Sequence, residues 1–245
     1  MALDFPECET LLLTHQGGRL DVTLNRPKNR NAINARMAGE FSALLDWLME
    51  NDAIRLVVLR GAGGHFCAGG DIKERRTMSE SMSQDGSDPV KARNEQAGHG
   101  FLKFQNLPQT TIAAVEGSAF GGGLGYACMA DITIVTKGAR MGMPETKLGI
   151  APAQIAPFVT ERVGLTQARR LMLTGARFKG EEAVQYGIGH ILAEASADLE
   201  TKCGEVLEQI ALCAPGANAV TKSIVFEATR RPRADALDFA SRGFA

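Results

Sequence analysis

Two short apolar runs constrain this chain most: Ile54–Leu59 (IRLVVL) and the stretch TTIAAV, each of which leads into a glycine-rich turn. A strand that is apolar on both faces has to be covered on both, which is the habit of parallel sheets flanked by helices. The first run enters RGAGGHFCAGGD; the second enters SAFGGG, followed by a helical start, LGYACMA, and a third strand, DITIVT. The rhythm is β-turn-α, and it predicts an α/β fold.

Residues 10–25 read as a hairpin around Gln16-Gly17-Gly18 that Pro27 ends. Asn31 to Glu50 carries Ile33, Met37, Phe41, Leu44, Leu45 and Leu48 at helical spacing, with Asn51-Asp52 as the stop. Residues 77–90 are polar and read as a surface loop, with a helix over about 91–105 to follow. From Gln154 onward the pattern is mostly helical, punctuated by Gly164, Gly175, Gly187 and Pro215, and predicts an all-α C-terminal part. At 245 residues, one large domain with a helical appendage is expected, divided into 1–190 and 191–245.

Lys+Arg 27 against Asp+Glu 28, with no basic block, gives no electrostatic reason to expect nucleic acid or an anionic membrane as partner. No apolar run is long enough to cross a bilayer. Cys8, Cys67, Cys128, Cys203 and Cys213 form no C-x-x-C pair, and the N-terminus carries no secretory pattern, so a reducing cytoplasm is expected. His15, His65, His99 and His190 show no ligand spacing; no metal is expected, and each reads as a surface or turn residue.

A glycine-rich turn between a strand and a helix gathers free backbone N–H groups and the positive helix end at one spot, which suits an anion or a developing oxyanion. Neither turn here matches the P-loop or dinucleotide patterns. Either one alone is more often mere tight packing.

Taken together, FCAGGDIKE (66–74), IAAVEGSAFGGGLGYACMADI (112–132) and MPETKLGI (143–150) resemble the enoyl-CoA hydratase/isomerase (crotonase) family, as do NRPKNRNAIN (25–34) and LTGARFKGEEAVQYGI (173–188). The resemblance implies a ClpP-like spiral of ββα units with a C-terminal helical trimerisation region. It also implies an acyl-CoA thioester as ligand, a homotrimer or dimer of trimers, and no cofactor, coenzyme A being part of the substrate. The family holds the thioester oxygen with two backbone N–H groups, which the resemblance puts at Ala68 and Gly122. Ala68, Gly69, Gly70 and Asp71 would line the thioester path, with the Asp71 side chain a candidate helix cap. Lys28, Arg30 and Lys73 lie in segments that pass near the CoA phosphates in the family.

Family hydratases use two glutamates. The second matches Glu145, whose neighbours Met141, Met143 and Leu148 would partly desolvate it and raise its pKa. The first matches Gly125, and a glutamate restored there is expected to revive crotonyl-CoA hydration if the pocket has room. Glu116 is a conceivable substitute carboxylate or an ordinary strand-end residue.

With PAQIAPFV (152–159) in place of the usual glycine-rich stretch, the chain looks like hydratases of 3-branched glutaconyl-CoA thioesters, isohexenylglutaconyl-CoA or 3-methylglutaconyl-CoA, of terpene or leucine breakdown. Such a substrate has a distal carboxylate, for which Gln154, Arg75 and Arg76 are candidate partners. Two other readings stand beside it: a Δ3,Δ2-enoyl-CoA isomerase, for which one carboxylate suffices, and a non-catalytic acyl-CoA- or RNA-binding protein of the same fold. The chain stops at SRGFA where relatives continue with a further helical segment, so part of the CoA contact surface is expected to be absent.

Overall fold

A computed structural model describes residues 3–74, 77 and 88–244. The expected hairpin forms as β1 (Leu11–Gln16) and β2 (Arg19–Leu24), antiparallel with Gln16 opposite Arg19. A 3-10 turn (Pro27–Asn29) and α1 (Ala35–Met49) follow, then β3 (Leu56–Gly61), α2 (Pro89–Gln105), β4 (Thr110–Val115), β5 (Ser118–Phe120), α3 (Gly122–Met129) and β6 (Ile132–Thr136). Next come β7 (Arg140–Gly142), a 3-10 turn (Glu145–Leu148), α4 (Ala156–Val163), α5 (Leu165–Leu173), β8 (Arg177–Lys179), α6 (Gly180–Gln185) and β9 (Ile191–Ala193). The chain ends with α7 (Ser196–Ala211), α8 (Pro215–Arg230) and α9 (Arg233–Phe244).

A six-stranded sheet has the order β1-β2-β3-β4-β6-β9, parallel from β2 onward, and a three-stranded sheet has the order β5-β7-β8. Period-2 alternation decides what each face of the large sheet buries. Val57 and Leu59 point into the main core with Phe41, Leu44 and Leu48 of α1, whereas Leu56, Val58, Ile112 and Ala114 meet Leu199, Cys203 and Val206 of α7.

The helix expected from Asn31 starts at Ala35, where Asn34 accepts a hydrogen bond from the Met37 N–H. Asn31 itself is fully buried at φ +56° and serves the loops instead. Its Oδ1 accepts from the Arg26 N–H (2.9 Å), and its Nδ2 donates to the Ala62 and His65 carbonyls (2.9 and 2.6 Å). The helix expected over 91–105 starts two residues earlier, at Pro89, because Asp88 caps it at the Val90 and Lys91 N–H groups. Of the loop expected over 77–90, residues 78–87 lie outside the described residues.

The part after Gln154 is not all helical: β8 joins the small sheet and β9 the edge of the large one. The division expected at 190 therefore falls just before a strand of the main sheet, and α7 covers that sheet's outer face. Only α8 and α9 stand apart. They contain no buried residue and pack on each other, leaving Val225, Leu237 and Phe244 exposed. Lys222 of α8 reaches the body, donating to Asp131 Oδ2 (2.8 Å) and the Gln109 carbonyl (3.2 Å).

Candidate active site

The two glycine turns are joined by backbone pairing. Phe66 and Cys67 donate N–H bonds to the Glu116 and Ser118 carbonyls (2.8 Å each), and Phe120 returns one to Cys67 (3.0 Å). The chain leaving β3 thus runs beside β5, and the turns after each come into contact. Gly69, at φ +90°, lies so close that a Cβ there would sit 2.7 Å from the Phe120 carbonyl oxygen. Gly121, at φ +51°, has Gly69 on one side and, on the other, Glu145, whose Oε1 would be 2.8 Å from an added Cβ. Glycine is required at both by positive φ and by space. Three segments distant in sequence converge on these two residues.

Pro144 and the 3-10 turn Glu145–Leu148 present the carboxylate, with the Thr146 hydroxyl tying the turn to the Met172 carbonyl (3.0 Å). Glu145 Oε2 is buried without a hydrogen-bond partner among the described residues. Burial holds the Glu145 pKa above the ordinary glutamate value. Met141 and Met143 are buried as expected, but Leu148 is 53% exposed and does not shield it.

Ala68 does not offer the N–H expected of it, because that group donates to the Arg30 carbonyl at 2.9 Å. Two residues on, Gly70 is exposed, and its N–H makes no hydrogen bond to a described residue. The neighbouring bonds, Ile33 N–H to the Gly69 carbonyl and Asp71 N–H to the Ile33 carbonyl, pin Gly70 between them (2.8 and 2.9 Å). Gly122 opens α3, so its N–H has no intrahelical acceptor; the first helical bond recorded at this end runs from Gly125 to Gly121.

Asp71 acts as the cap: its Oδ1 accepts from the Lys73 and Glu74 N–H groups, and its Oδ2 pairs with the Arg26 guanidinium at 3.1 Å. Burial pushes the Asp71 pKa up, but the hydrogen bond and charge of Arg26 and the backbone donors outweigh it and hold it below the ordinary value. Arg26 also bonds the Ala32 carbonyl. Arg26 and Asn31 are thus site-building residues that sequence reasoning passed over. Lys28, Arg30 and Lys73 are all exposed beside the first turn.

Gln154 is turned toward α2: its Nε2 donates to Asn94 Oδ1 (2.9 Å), and its Oε1 sits where a Cβ on Gly98 would be, 2.0 Å away. In this structure its amide nitrogen is engaged by Asn94, while its oxygen accepts no hydrogen bond from a described residue. Glu116 accepts from the Ser196 hydroxyl (2.5 Å), tying β4 to α7, and is no substitute for the missing glutamate. Arg75 and Arg76 lie outside the described residues. Gly125 is packed shut, since a Cβ there would lie 2.8 Å from Ile155 Cγ2 and 3.4 Å from Ile155 Cβ. The room that a restored glutamate needs is absent.

His190 is exposed, as expected of a surface residue, and its Nδ1 accepts the Thr133 N–H (2.9 Å). No group of three or more His, Cys, Asp or Glu residues arranged to hold a metal occurs among the described residues.

Residues 14–245 match the Enoyl-CoA hydratase/isomerase family. The fold is similar to that of Pseudomonas aeruginosa AtuE, with 46% identity, a TM-score of 0.92, and coverage of 96% of this chain and 90% of that one. A putative enoyl-CoA hydratase from Thermobifida fusca, solved in complex with CoA, is 29% identical at a TM-score of 0.84, covering 96% of this chain and 91% of that one. A probable mitochondrial enoyl-CoA hydratase 2 of Arabidopsis thaliana is 32% identical over 223 residues, 90% of this chain and 71% of its own length. The chain belongs to the enoyl-CoA hydratase/isomerase family and has the crotonase fold.

Proposed function

We propose that this protein adds water to a 2-enoyl-CoA thioester of the 3-branched glutaconyl type, giving the tertiary 3-hydroxyacyl-CoA. The observation that carries this reading is the convergence of one partly desolvated carboxylate, Glu145, on two turns that each offer a free N–H, with the second carboxylate position closed by Ile155. In this reading the N–H groups of Gly70 and Gly122 hold the thioester oxygen, Gly70 replacing Ala68. Ionised Glu145 takes a proton from water as its oxygen bonds to C3. The C2=C3 electron pair moves onto the thioester as an enolate, and Glu145 then returns the proton to C2. One carboxylate thus serves both halves of a balanced addition, and fixed donors aimed at the charged oxygen lower the barrier by about 3 kcal/mol each.

The segment Pro152–Val159, which supplies Ile155, is also where the sequence looks like the branched-glutaconyl hydratases. Lys28, Arg30 and Lys73 are proposed to meet the CoA phosphates. The exposed apolar side chains of α8 and α9, with no buried residue on either helix, support assembly into trimers through this part. Five free cysteines fit a reducing cytoplasm.

The same lone carboxylate favours one rival, a Δ3,Δ2-enoyl-CoA isomerase that moves a proton from C2 to C4 without water. Parallel assays with 3-methylglutaconyl-CoA, its isohexenyl analogue, crotonyl-CoA and a 3-enoyl-CoA decide between them. Turnover confined to the branched glutaconyl thioesters supports the proposal; turnover of the 3-enoyl thioester alone favours the isomerase.

A further inference from the structure

Tyr126 is a buried hydroxyl that the proposed chemistry leaves unused. It follows Gly122 by one turn of α3 and so shares its face. Phe101 links the two: its Cζ would be 3.5 Å from a Cβ on Gly122, and its ring stands edge-on to Tyr126 at 5.0 Å. Ile33, whose carbonyl and N–H bracket Gly70, approaches the same Gly122 position at 3.4 Å. Phe41 and Phe104 close around the Tyr126 ring at 5.2 and 5.3 Å.

Among Ile33, Phe41, Phe101, Phe104, Ile155 and Tyr126, only Tyr126 carries a hydrogen-bonding group. Tyr126 is 8% exposed, and its hydroxyl makes no hydrogen bond to any described residue. The other tyrosine, Tyr186, has Glu182 as partner at 3.1 Å. A hydroxyl placed in an apolar wall is costly unless something bonds to it.

We propose that Tyr126 is a specificity-determining residue whose hydroxyl donates a hydrogen bond to a carboxylate at the far end of the acyl chain. The proposal rests on the glutaconyl reading above and supplies a donor where the Gln154 amide nitrogen is engaged by Asn94. Burial pushes the phenol pKa far up, so the group stays protonated and can donate throughout the working range. A site built around such a bond discriminates against the analogue that lacks the acceptor.

The test uses saturated thioesters that bind without reacting: 3-methylglutaryl-CoA, which has the distal carboxylate, and isovaleryl-CoA, which lacks it. Wild-type protein and Tyr126→Phe are compared by calorimetry, with thermal melts to check that the fold is unchanged. Tyr126→Phe is expected to weaken 3-methylglutaryl-CoA by about tenfold or more and isovaleryl-CoA by less than about twofold. Equal weakening of both, or of neither, overturns the assignment, as does a wild type indifferent to the carboxylate. A preference for 3-methylglutaryl-CoA that Tyr126→Phe removes, in a protein that hydrates no glutaconyl thioester, would sink the hydratase reading and leave Tyr126 as the recognition residue.

Discussion

Restoring the absent family glutamate at position 125 is the obvious experiment, and the packing predicts that it fails for steric reasons. A Cβ at Gly125 would sit 2.8 Å from Ile155 Cγ2, about 1 Å inside ordinary carbon contact, in a segment where Leu124, Tyr126 and Ile155 are all buried. Overpacking of this kind costs about 1–3 kcal/mol, against which alanine recovers about 1 kcal/mol of helix propensity. Gly125→Ala is therefore expected to lose up to about 2 kcal/mol, read from urea unfolding midpoints. Ile155→Ala alone leaves a cavity and costs about 2–5 kcal/mol, but it also removes the offending Cγ2. The double variant should thus lose about 1–3 kcal/mol less than the sum of the single losses. Gly125→Glu adds a buried carboxylate to the same clash and should be unstable, with no gain in crotonyl-CoA hydration. A stable Gly125→Glu protein that hydrates crotonyl-CoA, or strictly additive losses in the cycle, would refute the reasoning.

Gly69→Ala forces a side chain into φ +90° and against the Phe120 carbonyl; a loss of about 1–3 kcal/mol in chemical denaturation is expected, with activity falling more steeply than stability. Asp71→Asn weakens the pair with Arg26 and costs about 2 kcal/mol at neutral pH. Because the folded Asp71 pKa lies below its unfolded value, that contribution is fully present above the ordinary carboxyl range. The gap between wild type and variant should close as pH falls through the lowered value, which a pH series of unfolding curves checks. Glu145 has the opposite sign: a carboxyl pKa raised by burial makes the ionised group destabilising. Glu145→Gln should accordingly unfold at higher urea than wild type at pH 7, the difference vanishing as pH drops below the unfolded glutamate value.

What the sequence made legible is what a residue type or a local period determines. The doubly apolar runs became β3 and β4 because both faces of that sheet are covered, and the MPET motif located Glu145. Strands β5, β7, β8 and β9 escaped because three or so residues carry no readable period, and Ser118–Phe120 looked like the approach to a glycine turn. The choice between Ala68 and Gly70 was invisible, since it turns on which N–H the Arg30 carbonyl accepts. Arg26 and Asp71 stand far apart in the chain, so nothing in local pattern announces their ion pair. Gln154, in the turn before α4, looked like a free donor because its partner, Asn94, lies far away in sequence on α2.

The central claim is that Glu145 alone moves the proton in a water addition. It is tested most directly by following 3-methylglutaconyl-CoA by mass spectrometry with wild-type protein and with Glu145→Gln. The account predicts that wild type adds one water per thioester and that Glu145→Gln, folded and still binding CoA thioesters, is slower by about a thousandfold or more. Undiminished water uptake by Glu145→Gln, or a shifted double bond without mass gain in wild type, would contradict it.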